Sequence, residues 1–386
     1  MCGWIALGCD GRWTHRPDHG FGPRNGDAGS LLRQTGRGAG SRTAPAAECT
    51  DGFSGHRPCP VVDGVDVRPT LRLLQELTRA RSRSAATPLR AADPLRVSFR
   101  MAGLHPSRGW RIVDKIRDGR RPEWKIIDER RFARYLSRLK SSGLDLRESL
   151  SRLTTVAPRI RGVAGARARL LLPSPVGLER ARVVLIPMDY DSMVDGRTVY
   201  FDPLLVLMIG EAGVARFLSH EFHHIGRFLL TDENISGVSP RLDPRRLSWT
   251  GLIRFWASLL EMEGIADLVF DVCELKLPLY RRMMARRERV TASYGLHLRR
   301  AERILLNPPV GSRAERREIG RAMQVILRDG HPLGKRMAQT IQTEFGRRKL
   351  VQCVGRPDRF FRAYQDAAAA SGRFQFSEKL LASIPS

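Results

Sequence analysis

Residues 220–224 read His-Glu-Phe-His-His and hold three of the chain's nine histidines. They lie in an otherwise apolar stretch, "EAGVARFLSHEFHHIGRFLL". Ionisable groups among Val214, Phe217, Leu218, Phe222 and Ile225 are costly to bury unless they are paired or hold a metal. The chain therefore has to fold around a helix whose polar side chains converge on something. Helical positions four apart differ by about 40° in azimuth, so His220 and His224 share a face and can share one ion. Glu221 projects about 100° from His220 and can reach a water beside that ion. This H-E-x-x-H spacing suits Zn²⁺, which accepts imidazole nitrogens and brings the pKa of a water towards about 7. Glu221 is then the candidate general base. With His224 filling the i+4 place, His223 reads as a supporting or packed residue.

A third ligand is needed, and "SLLEMEGIADLV" offers Glu261 and Glu263 in a second apolar helix. A carboxylate among Leu259, Leu260, Ile265 and Leu268 needs a partner, and zinc is one. Glu263 is favoured. Asp267 follows it by one turn and can accept the other ring N–H of a ligand histidine. Gly264 beside it lets two helices approach closely. Glu261, about 200° round the helix from Glu263, is the rival.

H-E-x-x-H followed on a later helix by E-G-x-A resembles the gluzincin metallopeptidases. A closer similarity is to an uncharacterised bacterial family of zinc-dependent peptidases, with HEFHH-like and EGxAD-like motifs. A C-terminal stretch of that family matches "GKRMAQTIQTEFGRRKL" and "RPDRFFRAYQDAA" here. The resemblance covers roughly Arg182 to Ala370. It implies His220, His224 and Glu263 as zinc ligands, Glu221 as base and a peptide or protein as substrate. In that family a tyrosine tends to stand three residues before the glycine of the last motif. Here His331 takes the place, a candidate donor to the developing oxyanion. The clan also implies an extended substrate lying along an edge strand, which points to Thr198–Phe201.

The expected fold is α+β and mostly helical: a gluzincin-like catalytic domain over 93–386, with a short sheet edge next to the metal helix. "DERRFARYLSRLKSSG" predicts a helix with Phe132, Tyr135, Leu136 and Leu139 inward and Gly143 as its stop. "ARVVLIP" and "GRTVYFDP" predict two strands in a hairpin-like arrangement. The metal helix follows, then one capped by Ser248 or Thr250. Further helices are expected near 281–289, 313–328, 332–345 and 357–370. Residues 1–92 are rich in Gly, Pro, Arg and Ser, and only "PTLRLLQELTRARS" there has helical spacing. Such a composition buries too little apolar surface to offset chain entropy, so a disordered segment is expected.

The net charge of +26 points towards nucleic acid. However, lysine accounts for only 7 of the 66 basic residues, and the arginines run along the whole chain without a stripe or a motif. An arginine-rich nucleic-acid binder and an inactive zinc-binding protein are the competing readings. Six cysteines with no CxxC exclude a zinc ribbon. No run of about 18 apolar residues reads as a transmembrane helix. No signal peptide is readable, so a cytoplasmic location is expected, or export if the start lies elsewhere.

Overall fold

The computed structural model of the chain describes residues 64–78, 94–119, 127–231, 248–275, 277–307 and 312–384. It opens with β1 (Val65–Asp66) and α1 (Arg68–Thr78). Leu73, Leu74 and Leu77 of α1 are buried in the main core, a stripe at helical spacing. α1 lies on "PTLRLLQELTRARS", the one stretch of 1–92 with helical spacing, and with β1 it is the part of that segment the structure describes. The remainder of the expected segment, and with it the 92/93 boundary, lies outside the described residues.

Three short helices follow: α2 (Leu95–Met101), α3 (Pro106–Arg117) and α4 (Ile127–Ser141). In α4, Phe132, Tyr135, Leu136 and Leu139 are all buried. Gly143 begins the next helix, α5 (Gly143–Arg169), one residue after the break at Ser142.

The sheet holds β1, β2 (Arg182–Leu185), β3 (Ser192–Asp195) and β4 (Thr198–Phe201) in the order β1-β2-β4-β3. The expected hairpin between "ARVVLIP" and "GRTVYFDP" is absent, since β2 and β4 run parallel with Val183 opposite Val199. The intervening "DYDSMVDG" supplies β3, which pairs antiparallel with β4 around Gly196 at φ 61°. β4 is therefore interior. Alternation along the strands divides the two faces. Val183, Leu185, Val194, Val199 and Phe201 enter the main core. Val184, Ile186 and Met193 form a smaller cluster with Val97 of α2.

The sheet delivers the chain into α6 (Pro203–Thr231), which carries the histidines. Asp202 caps it: Oδ1 accepts from the amides of Leu204 and Leu205 (2.9 and 3.0 Å), and Oδ2 from Met188 N–H (2.7 Å). α6 bends at Gly210, φ 62°. By length and hydropathy it could cross a membrane, but 61% of its most apolar window is buried inside the protein. Its apolarity is that of a core helix.

Then come α7 (Trp249–Val269), α8 (Arg281–Ala292), α9 (Tyr294–Leu306), α10 (Ser312–Val351), α11 (Pro357–Ala370) and α12 (Glu378–Leu381). Ser248 is the cap of α7, accepting from Gly251 N–H at 3.1 Å. α10 runs through Pro332 as one element instead of two, and bends only at Gly346, φ 78°. α7 and α10 cross at Gly264 and Gly334. A Cβ on Gly264 would lie 2.3 Å from the carbonyl carbon of Gly334. This contact brings residues 331–335 down onto the metal-facing turn of α7.

Candidate metal centre

Helical spacing on α6 sets His220 and His224 side by side, with their Nε2 atoms 3.0 Å apart. Glu263 reaches in from α7, its Oε2 3.4 Å from His220 Nε2 and 3.3 Å from His224 Nε2. Donor atoms of these three residues all lie within 4.8 Å of one another, and all three residues are buried. The rival, Glu261, faces elsewhere. It forms a fully buried pair with Arg227 at 2.7 Å and accepts the Gly355 amide at 2.9 Å.

Electrostatics inside the cluster show what it lacks. Burial alone would push His220 down, but Glu263, Asp267 and Glu221 override it and raise the imidazole to about 9. Burial lowers His224, against the pull of Glu263. Burial would raise Glu263, but the imidazoles of His331, His224 and His220 hold it well below the usual carboxylate range. These opposed shifts mark a place where a divalent cation would satisfy all three groups. Neither Glu263 oxygen has a hydrogen-bond partner among the described residues. Two imidazoles and a buried carboxylate aimed at one point form a donor set that fits zinc.

Around this set stand groups that orient it. His220 Nδ1 donates to the Phe270 carbonyl at 3.0 Å, with Asp267 Oδ1 at 3.5 Å from the same nitrogen. The carbonyl thus shares the tautomer-fixing role expected of Asp267 alone. Asp267 Oδ2 takes His331 Nδ1 and Arg287 Nη1, each at 3.2 Å. Arg287 also bonds Asp271 at 2.7 Å, and Lys335 closes that pair at 2.8 Å. His331 rests over His220, centroids 6.3 Å apart and planes at 18°, with its Nε2 3.4 Å from Glu263 Oε2. His223 points away. Its Nε2 bonds the Leu171 carbonyl at 3.2 Å, and burial lowers it to about 3, so it is a neutral packed residue.

Glu221 is 0% exposed. Its Oε1 accepts from Ser192 Oγ at 2.8 Å, while Oε2 has no hydrogen-bond partner among the described residues. The edge strand beside Glu221 is β3. Thr198–Phe201, expected to be the substrate rail, is β4, paired on both sides.

The family model described as "Putative zinc dependent peptidase (DUF5700)" matches residues 104–372. The chain belongs to this family. The span matched to the zinc-dependent peptidase family contains His220, Glu221, His224, Glu263 and His331. Zinc, the metal in the family's description, is the ion the donor set suits. No curated protein and no solved structure matches the chain.

Several neighbours of the candidate site escape the sequence. Ser192 lies 29 residues before Glu221 in an unremarked strand, with no spacing to single it out. Arg287 is one of 59 arginines and stands out only by its burial. The Phe270 carbonyl carries no side-chain signal at all.

Proposed function

We propose that the protein is a gluzincin-type zinc metallopeptidase that hydrolyses peptide bonds. The convergence of His220, His224 and Glu263, with the free Glu221 oxygen beside them, carries the reading. His220 and His224 of α6 and Glu263 of α7 would hold the ion. Bound zinc supplies Lewis acidity that makes water nucleophilic near neutral pH. Glu221 Oε2 takes the proton of the attacking water and returns it to the leaving amine. His331, with Nδ1 against Asp267 and Nε2 beside Glu263, would donate to the developing oxyanion. Of the five, His220 and His331 have the most exposed side chains, 6% and 13%. The substrate peptide approaches from their side.

A second reading, a zinc-binding protein without hydrolytic activity, draws support from the depth of the site, where Glu221 and Glu263 are 0% exposed. One experiment separates the two. Zinc-loaded protein and its Glu221→Gln variant are assayed against a peptide library, with metal content measured on both. Hydrolysis by the wild type that vanishes in a variant of equal zinc content supports the peptidase. Equal zinc with no cleavage by either overturns it in favour of the second reading.

A further inference from the structure

Among the described residues Glu221 forms no ion pair with arginine or lysine, and its one side-chain hydrogen bond is that of Oε1 with Ser192 Oγ, 2.8 Å. Ser192 opens β3 and is fully buried. It is fixed from several directions. Its own amide donates to Asp191 Oδ1 at 2.9 Å, and the Asp191 carbonyl accepts the Asp202 amide at 3.1 Å. Ser192 lies opposite Phe201 in the β3–β4 ladder, one residue before the cap of α6. The strand that carries the hydroxyl is thus tied to the helix that carries the carboxylate.

The chain entering β3 is strained. Asp189 and Tyr190 adopt φ 56° and 67°, consecutive left-handed residues without a glycine, a state that persists only where surrounding contacts impose it. Those contacts are present. Arg131 of α4 binds Asp189. Arg138 donates to the Tyr190 hydroxyl at 3.2 Å, and Tyr280 donates to the Tyr190 carbonyl at 2.8 Å. This tethered turn delivers Ser192 to Glu221. Among the described residues the second oxygen stays without a hydrogen-bond partner, at a cost that a serine kept only to satisfy a buried carboxylate would not explain.

We infer that Ser192 is the positioning residue of Glu221: its hydroxyl locks the carboxylate through Oε1 and leaves Oε2 as the oxygen that accepts the proton. Ser192 keeps its own proton throughout, since Oε1 remains an acceptor whether or not Oε2 is protonated. The catalytic half of this inference rests on the peptidase reading; the orienting half does not.

The test uses the zinc-loaded full chain with Ser192→Ala, Ser192→Cys (similar in size, a weak donor) and Ser192→Thr (hydroxyl retained). Metal content, kcat and KM on a cleaved peptide, and crystal structures are measured. Ser192→Ala should keep wild-type zinc and KM and lose about 10–100-fold in kcat, as expected for one hydrogen bond to a charged group. Cys should fall between, and Thr should restore most of the rate. The crystals should show one Glu221 position bonded to Ser192 in the wild type and a displaced carboxylate in Ser192→Ala. Unchanged kcat in Ser192→Ala, equal losses in Ala and Thr, or loss of zinc would overturn the inference. If the zinc-loaded wild type cleaves nothing, the peptidase reading falls and the crystals decide. A Glu221 side chain that moves only in Ser192→Ala upholds the orienting role, and one that stays in place refutes it.

Discussion

Gly264 and Gly334 touch backbone to backbone, and neither position has room for a side chain. A Cβ on Gly334 would stand 2.3 Å from the Leu260 carbonyl oxygen, and one on Gly264 just as close to Gly334. The obstacle is main chain on both sides, so it cannot rotate away. Gly264→Ala should cost at least about 1–3 kcal/mol in urea unfolding, the usual range for overpacking. It should also weaken zinc binding in a chelator competition, because Glu263 is its neighbour. Wild-type stability in this variant would contradict the crossing.

Glu221→Gln preserves size and removes the base. Zinc content should stay at the wild-type level, measured by atomic absorption, while peptide hydrolysis falls by at least about 10²-fold. Loss of metal would instead place Glu221 among the ligands.

Zinc loading should stabilise the folded chain by about 4 kcal/mol at a thousandfold excess over its dissociation constant. Glu263→Gln should abolish most of that gain, since Gln brings no negative charge to the imidazole pair. Thermal melts with and without zinc read this directly. A Glu263→Gln protein that still gains the full stabilisation would return the ligand role to another residue.

Asp267→Asn separates orientation from binding. The Phe270 carbonyl still holds His220, so zinc affinity should fall by less than about tenfold, below the usual range for lost outer-sphere partners. Activity should fall further, because His331 loses its anionic acceptor. Isothermal titration with zinc, set beside kcat, shows which loss is larger.

Asp202 gives the fold a pH dependence of definite sign. Burial raises its carboxyl from 3.8 to about 6 against the backbone amides that lower it. The folded chain then binds this proton more tightly than the unfolded chain. The contribution is fully present below about 3.8 and is lost as pH rises through about 6. A gap of about two pH units corresponds to roughly 3 kcal/mol. Asp202→Asn should therefore gain on the wild type as pH rises from about 3.8 to just above about 6 in denaturant titrations. A difference constant with pH would show that Asp202 does not titrate there.

The helix of the candidate site was legible in the sequence because its spacing is local: 3.6 residues per turn sets the relative directions of His220, His224 and Glu221 without knowledge of the rest. Glu263 was legible through its apolar neighbours and Gly264. The sheet was read less well. "DYDSMVDG" looks like a turn, since its Asp and Gly residues mask the three-residue core Ser192-Met193-Val194, and the parallel pairing of β2 and β4 depends on distant partners. Pro332 reads as a break, yet α10 continues through it, held against α7 by Gly334. Ser192 and Arg287 reach the site only through tertiary folding, which no local pattern encodes.

The burial of the donor atoms also governs how fast metal could come and go. His224 and Glu263 are 2% and 0% exposed, beneath the crossing of α7 and α10. A chelator can approach an ion there only from the side of His220 and His331, whose side chains are 6% and 13% exposed. Any wider access would need local opening, so zinc loss to a small chelator that enters by the substrate's path should be faster than loss to a bulky one of equal affinity. Access to the metal and access for the substrate would then share one opening.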